Sequence, residues 1–109
     1  MDKELNDKRW KIFREVLKKE REHHCFTQKY LAKRLGIEQS YISKTEIGDR
    51  RLDIIELLAY CEAMGLTLTD FAFRLEGLLK HHGLLSPKSV EKYAKWVAVY
   101  KEVYKSIDT

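Results

Sequence analysis

Apolar residues recur at spacings of three and four along most of the 109-residue chain, and glycines or helix-capping residues separate the stretches that carry this spacing. A period of three to four residues predicts amphipathic α-helices, each with one buried face. The first five predicted helices span about 6–22, 28–35, 38–47, 54–64 and 67–83. The pattern therefore predicts an all-α fold.

Residues suited to helix ends set these bounds. Side chains that accept hydrogen bonds from the first turn of a helix predict N-caps at Asn6, Thr27, Asp53 and either Thr67 or Thr69. Glycine tolerates a positive φ, which predicts turns and stops at Gly36, Gly48 and Gly65, with Gly77 as a candidate break. The expected apolar faces are Trp10, Phe13, Val16 and Leu17 in the first helix, Ile54, Leu57, Leu58 and Cys61 in the fourth, and Phe71, Phe73, Leu75 and Leu78 in the fifth.

A further amphipathic helix is predicted at the C-terminus, over 86–107. It follows Ser86-Pro87, where a capping residue precedes a proline at the first helical position. The a and d positions of about two and a half heptads are Val90, Tyr93, Val97, Tyr100, Tyr104 and Ile107. This apolar seam predicts one of three arrangements: packing back onto the other helices, a dimer interface, or docking of a partner protein.

The charge of the chain is modest but unevenly distributed. There are 21 Lys and Arg residues against 17 Asp and Glu, a formal +4, yet residues 26–52 carry +3 and residues 53–85 carry −3. A basic block beside an acidic one indicates that one face of the domain meets a polyanion. The longest uncharged stretches fall far short of the ~20 apolar residues that span a bilayer. The first residues lack the apolar core of a signal peptide, so we expect a soluble, cytoplasmic protein without membrane association.

The titratable residues predict neither a metal site nor a catalytic one. Cys25 and Cys61 are isolated, and the histidines occur as His23-His24 and His81-His82. Adjacent side chains on a helix diverge by about 100°, which places such a pair poorly for chelating one ion. The sequence also has no phosphate-binding glycine loop, nucleophile elbow or His-Glu-x-x-His motif. We therefore expect no metal, no cofactor and no enzymatic activity.

The second and third predicted helices, joined at Gly36, form a candidate helix-turn-helix over residues 26–48. Apolar residues would hold the two helices together, namely Leu31, Ala32, Ile37 and Ile42. The side chains left outward on the third helix are Gln39, Ser40, Tyr41, Ser43 and Lys44. These are hydrogen-bonding groups with few carboxylates among them, which suits the major groove of DNA.

The motif positions of this segment are Thr27-Gln28-x-x-Leu31-Ala32-x-x-x-Gly36-Ile37, followed by Ile42-Ser43-Lys44-x-Glu46-x-Gly48. They resemble the Cro/phage-repressor (XRE-like) helix-turn-helix domain, and the match continues through residues 49–58 into the fourth helix. The resemblance covers roughly residues 10–75. It implies a five-helix repressor-like DNA-binding domain that usually acts as a dimeric transcriptional regulator.

The resemblance also implies roles for individual residues of the third helix. Gln39, Ser40 and Lys44 match the positions that contact bases in the family. Tyr41 and Ser43 match positions nearer the DNA backbone.

Residues outside the third helix also match family positions. Gln28 matches a glutamine that bonds a phosphate and supports the recognition helix. Arg50 and Arg51 follow the third helix, where the family's loop approaches phosphates. Arg21 and Glu46 match an ion pair that we expect to be structural.

These observations lead to a working hypothesis and two alternatives. The hypothesis is a sequence-specific regulator of double-stranded DNA in a prokaryote or phage, acting as a homodimeric repressor on a near-palindromic operator. Residues 8–82 would be the DNA-binding domain, and 86–107 would serve dimerisation or partner docking. One alternative is an antitoxin-like regulator whose C-terminal helix binds a partner protein. The other is an adaptor that keeps the fold without binding DNA.

Overall fold

The computed structural model describes residues 1–85, and within that range the chain forms five α-helices and no strand. They are α1 (Lys3–His23), α2 (Gln28–Leu35), α3 (Gln39–Ile47), α4 (Ile54–Ala63) and α5 (Leu68–His81). The prediction of an all-α fold is confirmed. The predicted helix at 86–107 lies outside the described residues.

The first helix begins earlier than the sequence pattern predicts. Its N-cap is Asp2, whose carboxylate accepts a hydrogen bond of 3.0 Å from the backbone N–H of Leu5. Asn6, the predicted cap, lies inside α1, so that prediction is wrong. A carboxylate cap is favoured by the helix dipole, and pairs such as Lys3–Asp7 add i,i+4 contacts to the first turns.

The ends of the next helices follow the predicted capping residues. The Thr27 hydroxyl caps α2 by accepting from the N–H of Tyr30 at 3.0 Å, and Gly36 ends that helix at φ +68°. Asp53 caps α4 in a capping box with Glu56, so the backbone N–H of each residue donates to the side chain of the other. These ends are determined by local chemistry, which is why the sequence predicts them.

The last described helix begins at the first of its two candidate caps. Thr67 forms a capping box with Asp70, and the N–H of Thr67, 3.3 Å from the Asp70 carboxylate, lowers the pKa of Asp70. Gly77 lies within α5 without interrupting it, so it does not mark a break. The Arg9 Nε, from α1, donates to the Leu84 carbonyl at 2.9 Å and holds the segment after α5.

One core joins the five helices. α1 lies against α3 and α5, α2 packs against α3 and α4, and α4 packs against α5. The most deeply buried large side chains are Leu17, Leu31, Ile42, Thr45, Cys61 and Phe71. Among the residues that the structure describes, no helix is both long enough and apolar enough to cross a membrane.

Two predicted apolar faces need correction. In α4, Leu57 and Cys61 are buried, but Ile54 is 60% exposed and Leu58 is also exposed. In α5, Phe71 is fully buried and Phe73 is 79% exposed, and the contact near the C-terminal end is made by Leu79 while Leu78 is exposed. The periodicity marks the apolar residues of these helices, but neighbouring helices cover only a narrow stripe of each.

Candidate nucleic-acid interface

Helices α2 and α3 form a helix-turn-helix whose inner side is closed by apolar contacts. Leu31 and Ala32 from α2 and Ile42 from α3 are all buried, whereas Ile37 in the turn, which the sequence pattern predicts to pack with them, is exposed. Gly36 makes the turn, and Gly48 ends α3 at φ +94°. The packing leaves the opposite side of α3 to solvent, which is the orientation that a recognition helix requires.

Glu46, the one acidic residue within α3, lies on the inner side of the helix in an ion pair with Arg21. The Arg21 Nε donates to Oε2 of Glu46 at 2.7 Å, and its Nη2 donates to Oε1 at 3.0 Å. The Arg21 Nη1 also donates to the Phe26 carbonyl at 2.7 Å. The hydrogen bond with Glu46 raises the pKa of Arg21, against the opposing effect of burial.

A glutamine connects this ion pair to the exposed end of α3. The Gln28 Nε2 donates to Oε1 of Glu46 at 3.1 Å. Because its N–H group faces the carboxylate, the Oε1 of Gln28 is left for a donor, and the Gln39 Nε2 lies 3.5 Å from it. These contacts form a series that runs from Arg21 through Glu46 and Gln28 to Gln39. They fix the side chain of Gln28 and restrain that of Gln39.

The outer face of α3 has no carboxylate and is polar apart from Ile47 at its C-terminal end. Its exposed residues are Gln39, Ser40, Tyr41, Lys44 and Ile47. Ser43 is half-buried, and its hydroxyl donates to the Ser40 carbonyl at 3.2 Å. Residues three and four apart share a helix face, so Ser40, Ser43 and Lys44 lie together. Such a face can donate hydrogen bonds to bases and to phosphates, and it carries no negative charge that would repel the phosphates.

Two arginines in the loop between α3 and α4 pack on aromatic rings. The Arg50 guanidinium lies 5.0 Å from the centre of the Tyr41 ring, and its Nη2 donates to Glu56 at 2.6 Å. This hydrogen bond raises the pKa of Arg50. The Arg51 guanidinium lies 4.8 Å from the centre of the Trp10 ring on α1.

None of the cysteines and histidines of the described residues belongs to α3 or to the loop that follows it. His23 ends α1 and His81 ends α5, each followed by the second histidine of its pair at the C-cap. Among the residues that the structure describes, no group of His, Cys, Asp and Glu is arranged to hold a metal ion. Cys25 has a positive φ of 60°, which the sequence pattern does not anticipate.

The helix-turn-helix geometry agrees with comparisons to known proteins. The helix-turn-helix family model HTH_3 matches residues 17–71, which is half of the chain. The structure of an XRE-family like protein from Pseudomonas syringae pv. tomato str. DC3000 aligns with a TM-score of 0.65 and 37% identity. The alignment covers 70% of this chain and 93% of that one.

The chain belongs to the XRE family. It is thus a DNA-binding transcription regulator, and regulators of this family typically bind double-stranded DNA without catalysing a reaction. No curated protein sequence matches this XRE-family chain.

The structure brings some of the predicted DNA-contacting residues of this XRE-family protein together in pairs. Gln28 meets Gln39, and Tyr41 meets Arg50. The contact that the sequence does not predict is the one between Trp10 and Arg51, because its two residues lie far apart in the chain. The spacing of apolar residues assigns Trp10 to the core, whereas the ring is half-buried and contacts a loop.

Proposed function

We propose that this protein is a dimeric, sequence-specific repressor that inserts α3 into the major groove of its operator. Gln39, Ser40 and Lys44 would contact bases. The proposal extends the family assignment, which supports DNA binding and regulation in general. It also places the protein in the cytoplasm of a prokaryote or a phage-infected cell, where it would meet such an operator.

The observation that carries the proposal is the separation of charge across α3. The helix's one carboxylate, on Glu46, is withdrawn into the ion pair with Arg21, where its side chain is only 4% exposed. The outer face keeps an amide, hydroxyls and the ammonium of Lys44. A buried carboxylate neutralised by arginine repels DNA far less than an exposed one would.

Gln39 is the residue best prepared to distinguish one base from another. A glutamine amide can accept from N6 and donate to N7 of adenine at once, which discriminates adenine from other bases. In the free protein the Gln39 Nε2 faces Oε1 of Gln28 at 3.5 Å, so one amide N–H and the carbonyl oxygen stay available to a base. We therefore propose that Gln39 reads adenine.

The remaining polar residues would bind the DNA backbone on either side of α3. We assign phosphate contacts to Gln28, Tyr41, Ser43, Arg50 and Arg51. Such contacts fix the register of the helix in the groove but carry no sequence information themselves. Their number and charge should appear in the salt dependence of binding.

We further propose that residues 8–82 act as the DNA-binding domain and that 86–107 joins two copies. The a/d seam of the C-terminal segment supports this division. A dimer places two copies of α3 about one helical turn apart, roughly 34 Å, and therefore requires a near-palindromic operator. The same seam also fits an antitoxin-like regulator, in which a partner protein would take the place of the second copy.

Selection of duplexes from a random pool by the full-length protein, at moderate salt, tests the proposal. We expect an enriched near-palindromic sequence with its half-sites about one turn apart. An enriched site without symmetry would contradict the dimer. A pool that stays random, with folded protein, would contradict sequence-specific binding and favour the adaptor.

A further inference from the structure

Trp10 and Arg51 connect the start of the molecule to the loop that follows the recognition helix. The Arg51 guanidinium lies over the indole of Trp10 at 4.8 Å from the ring centre. On α1, Trp10 also stacks on Phe13, with ring centres 5.2 Å apart and planes inclined by 16°. Phe13 packs against the core, so the indole is held from behind while Arg51 is exposed.

The arginines around this loop differ in how their charge is used. Arg50 is paired with Glu56 at 2.6 Å. Arg14 lies under the end of α3 and donates to the Glu46 carbonyl at 3.3 Å. Within residues 1–85, Arg51 takes part in none of the ion pairs. Of the three, Arg51 is therefore the cation whose N–H groups are most available to an anion.

Helix α1 also supports the start of this loop, at Gly48. A Cβ on Gly48 would lie 2.9 Å from Cζ of Arg14, so the loop runs directly over that guanidinium. Arg14 thus supports the loop at residue 48 and Trp10 supports it at residue 51, one helical turn apart on α1.

We propose that Trp10 is a positioning residue that presents Arg51 to a phosphate of the DNA backbone, so that α1 and the α3–α4 loop form one phosphodiester-binding site. The inference rests on the proposed function and deepens it. A guanidinium stacked on an aromatic face keeps its N–H edge free for two phosphate oxygens. Holding the side chain before binding also reduces the rotamer freedom lost when the complex forms.

A double-mutant cycle on the full-length protein tests this assignment. The variants are Trp10→Leu, Arg51→Ala and the double substitution, titrated on the duplex obtained by selection at several salt concentrations. Arg51→Ala removes one phosphate contact per half-site, so it should weaken binding about tenfold and lower the slope of log K against log [salt] by about 0.9 for each half-site. Trp10→Leu should weaken it about two- to fivefold, as expected for a lost cation–π contact. The double variant should lose no more than Arg51→Ala alone.

Three controls separate positioning from folding. Trp10→Tyr keeps an aromatic face and should restore most of the affinity. Val16→Ala should lower the thermal midpoint of the protein but leave the salt slope unchanged, since Val16 is a buried core residue of α1 and lies away from Trp10. Circular dichroism should report folded protein for every variant at the temperature of the titration.

The outcomes distinguish this inference from the proposal on which it rests. If Trp10→Leu binds the duplex with the same affinity and salt slope as the wild type, the positioning role of Trp10 is overturned and the proposed function is not. Losses that add in the double variant would overturn it as well. A wild-type protein that binds no duplex would overturn the proposed function, and this inference with it.

Discussion

Arg21 and Glu46 form a buried ion pair with two parallel hydrogen bonds, of 2.7 and 3.0 Å, that joins α1 to α3. The two side chains are only 10% and 4% exposed. The pair has two consequences: it fixes α3 relative to α1, and it keeps the Glu46 carboxylate away from the outer face of α3.

Breaking this pair on one side should destabilise the fold strongly. Arg21→Met leaves the Glu46 carboxylate buried without its partner, so the free energy of unfolding should fall by about 3–5 kcal/mol. Urea unfolding followed by circular dichroism measures the change. The control is Arg21→Met with Glu46→Leu, which should recover most of the loss because no charge stays buried. Equal stability of wild type and Arg21→Met would show that the pair contributes little.

The turn after α3 makes a second prediction, based on a matched pair of glycines. Gly48→Ala and Gly36→Ala both force alanine into a positive φ, at a cost of about 1–2 kcal/mol each. Only at Gly48 does the new methyl also meet Arg14, at 2.9 Å. Displacing Arg14 from the Glu46 carbonyl should add roughly 1 kcal/mol. The free energy of unfolding, measured by chemical denaturation, should therefore be lower for Gly48→Ala than for Gly36→Ala. The reverse order would contradict the contact between Gly48 and Arg14.

The capping box of α5 predicts a dependence on pH. The N–H of Thr67 holds the pKa of Asp70 below its ordinary value of 3.8. Because the folded pKa is depressed, the stabilisation is fully present above the ordinary value and is lost as the pH falls through the lower, folded one. Asp70→Asn keeps an acceptor but no charge. The difference in thermal midpoint between wild type and Asp70→Asn should therefore shrink from pH 7 to pH 3, and a constant difference would exclude this charge effect.

Helix ends and the helix-turn-helix could be predicted from the sequence because they depend on neighbouring residues. Thr27, Gly36 and Asp53 act on their own turns, and each ends or begins the helix expected of it. The start of α1 is the exception, since Asp2 and Asn6 are both good caps and only the former is used. Local chemistry alone does not decide between two suitable caps four residues apart.

Contacts across the fold could not be predicted in the same way. The depth to which a helix is buried depends on which neighbouring helices cover it. Phe73 therefore can be exposed although it has the same periodicity as a core residue. The Trp10–Arg51 contact joins α1 to a loop after α3, and nothing in the spacing of either residue indicates it. The residues of the candidate site on α3 follow from the sequence, whereas the contact that α1 makes with the loop requires the structure.

The C-terminal seam makes a prediction about assembly. Val97 is an a position of the predicted helix over 86–107, so Val97→Asp should convert a dimer into a monomer and weaken operator binding. Lys95→Asp introduces the same carboxylate at a position outside the seam and should leave the mass unchanged. Light scattering after size-exclusion chromatography measures both. A wild-type monomer, or a dimer that survives Val97→Asp, would contradict the dimer seam and favour either docking of a partner protein or packing of this helix onto the other helices.

Whether α3 reads bases through Gln39 is decided by comparing the affinities of two variants and the wild type for three duplexes. The wild-type protein and Gln39→Ala are each titrated on three duplexes: the selected one, the same duplex with one adenine pair per half-site replaced, and a random sequence. Lys80→Ala, on α5, serves as the control variant. We predict that Gln39→Ala binds the selected duplex more weakly by ~1–3 kcal/mol per half-site and no longer distinguishes the replaced pair, while its affinity for random DNA is unchanged. An equal loss of affinity on all three duplexes, or discrimination that survives the substitution, would show that Gln39 does not read the base.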